Sequence, residues 1–309
     1  MRCSSLRLSA LLTVLAVQAH AAGPLVFSYF TGNGEDGLHL ATSTDGLHWR
    51  VLNGGQSLLA PQVGESKLMR DPSITLGPDG LFHMVWTTSW QGRSLGYASS
   101  KDLIHWSEQR VIRNELAGEI VNSWAPELFY DAPSRQYLIV WASTVKGRFP
   151  ETAAQGNRDY NHRLYVIRTH DFQNFTAPEL FFDPGFQVID GAIFRHGRRY
   201  VIVAKNETLK PEAKYLFLSF ADSLAGPWSK ASASISGKEW AEGPTPVRLG
   251  GWWHIYFDKY RDHRYGIIRS RDLEHWEDLS PKLEFPAGAR HGTVLAVPAA
   301  IVKQLDRLP

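Results

Sequence analysis

The chain has 309 residues, 43% of them hydrophobic and 12% aromatic, and a formal net charge of +2. A nearly balanced charge without a long basic run excludes nucleic acid and anionic membrane as the main partners. A single cysteine excludes an internal disulfide framework.

In chain order, residues 1–21 read as a signal peptide. Arg2 and Arg7 supply the basic flank, residues 8–17 the apolar run, and Ala19 and Ala21 the small residues around a cut after Ala21. That run is too short to span a bilayer, and no later segment is long and apolar enough to do so. A retained anchor is the alternative. Cys3 lies in the leader, so residues 22–309 are expected to carry no thiol, no net formal charge, and a secreted or periplasmic address.

A phrase then recurs five times. It reads Ser43-Thr44-Asp45-Gly46-Leu47-His48-Trp49, then Ser100-Lys101-Asp102-Leu103-Ile104-His105-Trp106, then Thr169-His170-Asp171-Phe172-Gln173-Asn174-Phe175. A looser copy runs from Ala221-Asp222-Ser223 to Trp228, and the last is Ser270-Arg271-Asp272-Leu273-Glu274-His275-Trp276. Recurrence roughly every 50–70 residues marks stacked supersecondary units. Between the phrases lie short runs rich in β-branched and aromatic residues, such as 81–86 and 200–204. Turn chemistry such as Gly77-Pro78-Asp79-Gly80 brackets them. The expected fold class is all-β, a five-bladed β-propeller of about four strands per blade, as one domain over residues 22–309. A β-sandwich is the alternative, and five copies argue against it. Each Asp of the phrase should bond turn backbone, and each closing aromatic should fill the gap between blades. The first unit lacks an innermost strand, which residues 292–297 would supply to close the ring.

Aligning the first strand of each unit sets Arg70-Asp71-Pro72, Trp124-Ala125-Pro126-Glu127, Ile189-Asp190-Gly191, Ala241-Glu242-Gly243 and Arg290-His291-Gly292 together. The second position then holds Asp71, Ala125, Asp190, Glu242 and His291. First strands are innermost in a propeller, so three acids and one histidine should meet at the channel mouth. Carboxylates crowded into a low-dielectric site cannot all ionise at their solution values. A protonated acid facing an ionised base is the requirement for hydrolysing a glycosidic bond.

These five ordered segments resemble the signature segments of glycoside hydrolase family 43, over essentially the whole mature chain. The resemblance implies a five-bladed propeller that hydrolyses arabinofuranosides and xylosides with inversion. Carried over by position, Asp71 is the general base, Glu242 the general acid, and Asp190 the third carboxylate that orients the acid and raises its pKa. His291 matches a channel histidine that in some members helps hold a hydrated calcium or other cation; no cofactor is otherwise required. Inversion implies that Asp71 and Glu242 stand about 6.5–9.5 Å apart, leaving room for a water. Glu127 stands where several members have Asp, and Gly191 where Pro is commoner.

Sugar sites pair a few directional polar groups with an aromatic face. Trp90, Trp124 and Trp240 are candidate stacking residues, and Glu127 and Arg290 candidate polar substrate contacts. Trp49, Trp106, Trp228 and Trp276 are assigned to packing, and His48, His105 and His275 to a shared surface role. The polar insertion 146–162 is expected to fold over the channel mouth and favour an exo-acting pocket. The expected function is an inverting, exo-acting α-L-arabinofuranosidase or β-xylosidase whose partner is an oligo- or polysaccharide. The alternatives are the same fold acting on galactofuranose, galactose or an anhydrosugar, and a sugar-binding propeller without catalysis, which would need no acid–base pair.

Overall fold

The computed structural model describes residues 23–157 and 159–308; the leader expected over residues 1–21 falls outside them. The described strands form five antiparallel sheets. The first contains β1 (Leu25–Phe30), β2 (His39–Ser43) and β3 (Arg50–Val51). The second is β4 (Arg70–Leu76), β5 (Phe82–Thr87), β6 (Ser94–Ser100) and β7 (Arg110–Arg113). The third is β8 (Trp124–Asp131), β9 (Gln136–Ser143), β10 (Arg163–Thr169) and β11 (Glu179–Phe182). The fourth is β12 (Val188–His196), β13 (Arg199–Asn206) and β14 (Leu216–Ala221). The fifth is β15 (Glu242–Leu249), β16 (Trp252–Lys259), β17 (Arg264–Ser270) and β18 (Glu277–Asp278). The chain then returns as β19 (Arg290–Ala296) to pair with β1, becoming the innermost strand of the first blade, and ends in a short helix, α1 (Ala299–Leu305).

The fold is therefore the five-bladed propeller expected, with its ring closed by the last strand. The second strands are apolar through their middles, where both faces are covered, and carry polar residues toward the channel end. In β13, Ile202 packs toward the third blade beside Leu138 and Val140, while Val201 and Val203 pack toward the fifth beside Ile255 and Phe257. Alternate side chains of one strand thus serve two inter-blade cores. The closing aromatics of the repeat fill the same seams: Trp49 meets Tyr256 of the fifth blade edge-on at 5.8 Å, and Trp228 meets Phe181 of the third at 5.7 Å. Each full phrase is built on one local pattern. In the second copy, Asp102 Oδ1 accepts from the backbone N–H of Ile104 and His105, and Oδ2 faces His105 Nδ1 at 2.8 Å.

The fourth blade departs from the four strands expected. Serines take the place of its outer strand: Ser229, Ser232 and Ser236 Oγ accept from the N–H of Phe220, Leu218 and Leu216 along β14. The carbonyls of Phe220, Leu218 and Leu216 accept from the backbone N–H of Ser229, Ser232 and Ile235, so the edge is satisfied half by side chains and half by backbone, without a regular strand.

Candidate active site

The first strand of every blade carries an irregularity in its pairing at the same place. The register slips between Arg70 and Ser73, Trp124 and Glu127, Ile189 and Ala192, and Glu242 and Thr245. β19 pairs with β1 through a slip of the same kind, next to Arg290. Such bulges bend the strand and re-aim side chains. Asp71, Ala125 and Asp190 sit at the bulge with φ of 53°, 45° and 55°, a left-handed conformation that Asp tolerates better than most residues.

This geometry corrects one sequence expectation. Glu242 pairs with Asp258 as Arg70 pairs with Thr87 and Ile189 with Lys205, so it occupies the position before the bulge. The residue equivalent to Asp71 and Asp190 is Gly243, with φ of 59°. A Cβ there would run into the His291 ring, which explains the glycine. In an ordinary strand a one-residue slip would turn Glu242 to the other face. The bulge instead lets both positions reach the channel mouth, and Arg70, Asp71, Ile189, Asp190, Glu242, Arg290 and His291 all line one cavity of 730 Å³. Arg70 and Arg290 are thus the positional counterparts of Glu242.

The two buried aspartates differ in charge. Burial pushes the Asp71 carboxyl up, but the hydrogen bond and charge of His291, the charge of Arg70 and the Thr87 hydroxyl together bring it down to about 2. Thr87 Oγ1 donates to Asp71 Oδ2 at 2.7 Å, and His291 Nδ1 stands 3.3 Å from Oδ1. Among the described residues Asp190 accepts one hydrogen bond, from the Gly243 N–H at 3.0 Å. Burial raises it to about 7, with His291 and Lys205 opposing and Glu242 and Asp71 adding to the rise. Glu242 is gripped from two sides, by Lys205 Nζ and by Arg290 Nη2, each at 3.0 Å. Arg290 also donates to Asp258 Oδ2 at 2.6 Å. Burial and the Glu242 charge lift Asp258 to about 6, with Arg290 opposing. Behind Lys205, Glu207 pairs with both Lys205, at 2.8 Å, and Lys214.

The expected contact residues divide. Trp90, half exposed at the rim, donates to Asn33 Oδ1 at 2.8 Å, lies under Arg70, and meets Trp124 edge-on at 5.6 Å. Trp240 also lines the cavity, with Arg261 4.1 Å over its ring. Arg290 is present but committed to two carboxylates. Glu127 is not part of this cavity. Two residues beyond Ala125, it has passed down the channel, where Ser73 Oγ donates to it at 2.8 Å and it helps line a second cavity. Asn157 and Tyr160 bring the 146–162 insertion to the cavity wall.

His291, the residue to which resemblance gave a cation-binding role, stands between two carboxylates. Its Nδ1 faces Asp71 Oδ1 at 3.3 Å, and its buried Nε2 stands 3.5 Å from Glu127 Oε1 without a hydrogen bond. Burial opposes its charge, yet Asp190, Asp71 and Glu127 hold its pKa well above the usual histidine value. The imidazolium itself supplies positive charge there. Among the described residues no group of three or more His, Cys, Asp or Glu side chains is arranged to hold a metal ion.

Sequence reasoning missed Thr87, Lys205 and Asp258. All three sit at or near the ends of second strands, paired with the residue just before each bulge. The signal available was a polar residue closing an apolar run, as Lys205 closes Tyr200-Val201-Ile202-Val203-Ala204.

Residues 22–302 match a glycosyl hydrolase 43-related family, described as a probable glycosyl hydrolase domain. An α-L-arabinofuranosidase from Bifidobacterium longum subsp. longum is 25% identical over 218 residues, 61% of this chain and 20% of that protein. The chain thus spans a fifth of the length of that relative. Among solved structures, an α-L-arabinofuranosidase from Lactobacillus brevis superposes with a TM-score of 0.53 at 18% identity, covering 69% of this chain and 72% of that one. An exo-β-1,3-galactanase from Phanerochaete chrysosporium gives 0.53 at 11% identity, covering 84% and 54%. At these identities the structural likenesses speak to the fold.

Proposed function

The chain belongs to the glycosyl hydrolase 43-related family, and from that premise we propose that this glycosidase is an inverting, exo-acting α-L-arabinofuranosidase or β-xylosidase. Asp71 is the general base and Glu242 the general acid. The observation that carries this reading is one cavity holding a carboxyl brought down to about 2, and so ionised at neutral pH, together with a second carboxyl from another blade. A base must be ionised to take a proton, and Asp71 is. Water gives its proton to Asp71 as its oxygen attacks the anomeric carbon. The glycosidic C–O bond breaks, and Glu242 protonates the leaving oxygen. Glu242 is then a carboxylate, and Arg290 and Lys205 hold its charge. Asp190 orients the acid strand through the Gly243 N–H.

The arabinofuranosidase relative supports the pentose assignment. The Asn157 and Tyr160 contacts at the cavity support exo action, and cleavage inside a long, end-blocked polysaccharide would contradict it. Residues 1–21 support export from the cytoplasm. The decisive test uses p-nitrophenyl α-L-arabinofuranoside and β-D-xyloside with native protein, Asp71→Asn and Glu242→Gln. Each substitution is expected to lower kcat by about 10²–10⁴-fold. The first-formed sugar, followed by NMR, should have the anomeric configuration opposite to the substrate. Retained configuration, or an unimpaired Asp71→Asn enzyme, overturns the mechanism.

A further inference from the structure

Among the described residues, His162, Gln187, Glu207 and His291 in the cavity wall keep buried polar atoms without a hydrogen-bond partner; Glu207 Oε2 and His291 Nε2 face a charged neighbour, Lys205 and Glu127, which leaves His162 and Gln187. His162, just before β10, is 1% exposed, and neither ring nitrogen has a hydrogen-bond partner. Its ring is stacked on Tyr160 at 5.1 Å and lies 4.9 Å from Trp124. Gln187, just before β12, is fully buried; Nε2 donates to Thr152 O at 3.3 Å, and Oε1 has no partner. Both residues line the 730 Å³ cavity. Their backbones are tied, since Val188 N–H donates to His162 O at 3.3 Å. The 146–162 insertion fixes the Gln187 amide in place, because Gly156 packs so closely that an added Cβ would strike it.

Buried polar atoms are almost always paired, and an unpaired one is costly to keep. In a cavity wall the missing partner is what enters the cavity. Burial, helped by the charges of Lys214, Lys205 and Arg163 against that of Glu207, brings His162 down to about 3, so its ring is neutral. A neutral imidazole offers one N–H and one lone pair. Gln187 Oε1 adds a second acceptor. A carboxylate has no proton to give to either acceptor, and an ammonium group cannot accept from the N–H. A hydroxyl does both.

We infer that His162 and Gln187 form a subsite that reads sugar hydroxyls and determines which sugar the cavity accepts. The inference deepens the glycosidase reading and rests on it for the identity of the ligand. His162 and Gln187 are specificity-determining residues here, with no part in moving the proton.

The test compares native protein with His162→Phe, which keeps the stack and removes both nitrogens, and with Gln187→Leu. On whichever aryl glycoside the native enzyme prefers, each variant is expected to lose about 10–100-fold in kcat/KM. His162→Gln, which restores a donor and an acceptor, should recover part of that loss. The native enzyme should also discriminate by a similar factor against one monodeoxy version of that glycoside. His162→Phe or Gln187→Leu should show no further loss with that version, a coupling that a merely structural defect would not produce. Native-like kcat/KM and native-like deoxy discrimination in both variants overturn the inference while leaving the acid–base reading intact. If the native protein turns over no glycoside, the glycosidase reading fails. Calorimetric titration with L-arabinose, D-xylose and D-galactose then decides the subsite alone. A sugar bound by native protein and lost in both variants supports it. No binding by native protein, or binding retained in both variants, overturns it.

Discussion

Asp71 and Asp190 occupy the same place in two blades, share the same left-handed backbone, and carry opposite electrostatic tendencies. Burial acts on both; their hydrogen bonds decide between them. Asp71 has a hydroxyl and a protonated imidazole, whereas Asp190 has one backbone N–H and two neighbouring carboxyls. For Asp190 the sign of the linkage follows directly. Its proton is held more tightly in the fold than in the unfolded chain, so its contribution to stability is full below about pH 4 and lost as the pH rises through about 7. Replacing Asp190 by Asn removes that dependence. The stability of Asp190→Asn relative to native is expected to rise by on the order of 1 kcal/mol or more between pH 4 and pH 8. Thermal unfolding at the two pH values checks this, and a constant difference contradicts it. The acids themselves were legible from sequence because they stand beside Pro or Gly at strand starts. Their ionisation was not, because the partners come from other strands and other blades.

Elements formed by local chemistry were the most legible. In Ser100-Lys101-Asp102-Leu103-Ile104-His105-Trp106 every bond of the turn joins residues within three positions of one another. Asp102 is lifted by burial but brought down to about 2 by bonds from His105, Ile104 and Ser100. Its contribution to stability is therefore present above the unfolded value near 4 and lost as the pH falls through about 2. Asp102→Ala is expected to cost about 1 kcal/mol at pH 6, since two turn N–H groups lose their acceptor. The cost should shrink progressively below pH 4, as read by urea unfolding at several pH values. A cost that does not change with pH would show that packing, not the ionised carboxyl, sets the turn. The fourth blade was less legible. A strand and a serine-rich segment that caps N–H groups one by one, as Ser229 and Ser232 do, both look like short polar-flanked runs until the partner strand is known.

At the scale of the whole molecule the ring is held by contacts between its two ends. β1 pairs with β19 from Leu25 with Ala296 to Phe30 with Arg290, and Tyr256 OH of the fifth blade donates to Gly46 O of the first at 2.7 Å. Ser28 Oγ donates to Pro72 O at 2.9 Å, tying this junction to the second blade. A chain ended after Phe285 would leave β1 without its inner partner and remove Arg290 and His291 from the cavity. It is expected to lose cooperative thermal unfolding and all glycosidase activity. A truncated chain that still melts in one sharp transition would mean the other four blades carry the fold without closure.

What the amino-acid order determined alone was the unit and its number. Turn capping, strand alternation and a closing aromatic act over a few residues, so five copies could be counted and five blades expected. Only the folded ring decided how those units face one another. It set Glu242 one residue earlier than simple alignment, carried Glu127 down the channel, brought Lys205 and Thr87 against the acids, and buried unpaired polar atoms of His162 and Gln187 in the wall. The reason is physical: bulge register and cross-blade distance depend on strand pairing over long sequence separations, and no local pattern encodes them.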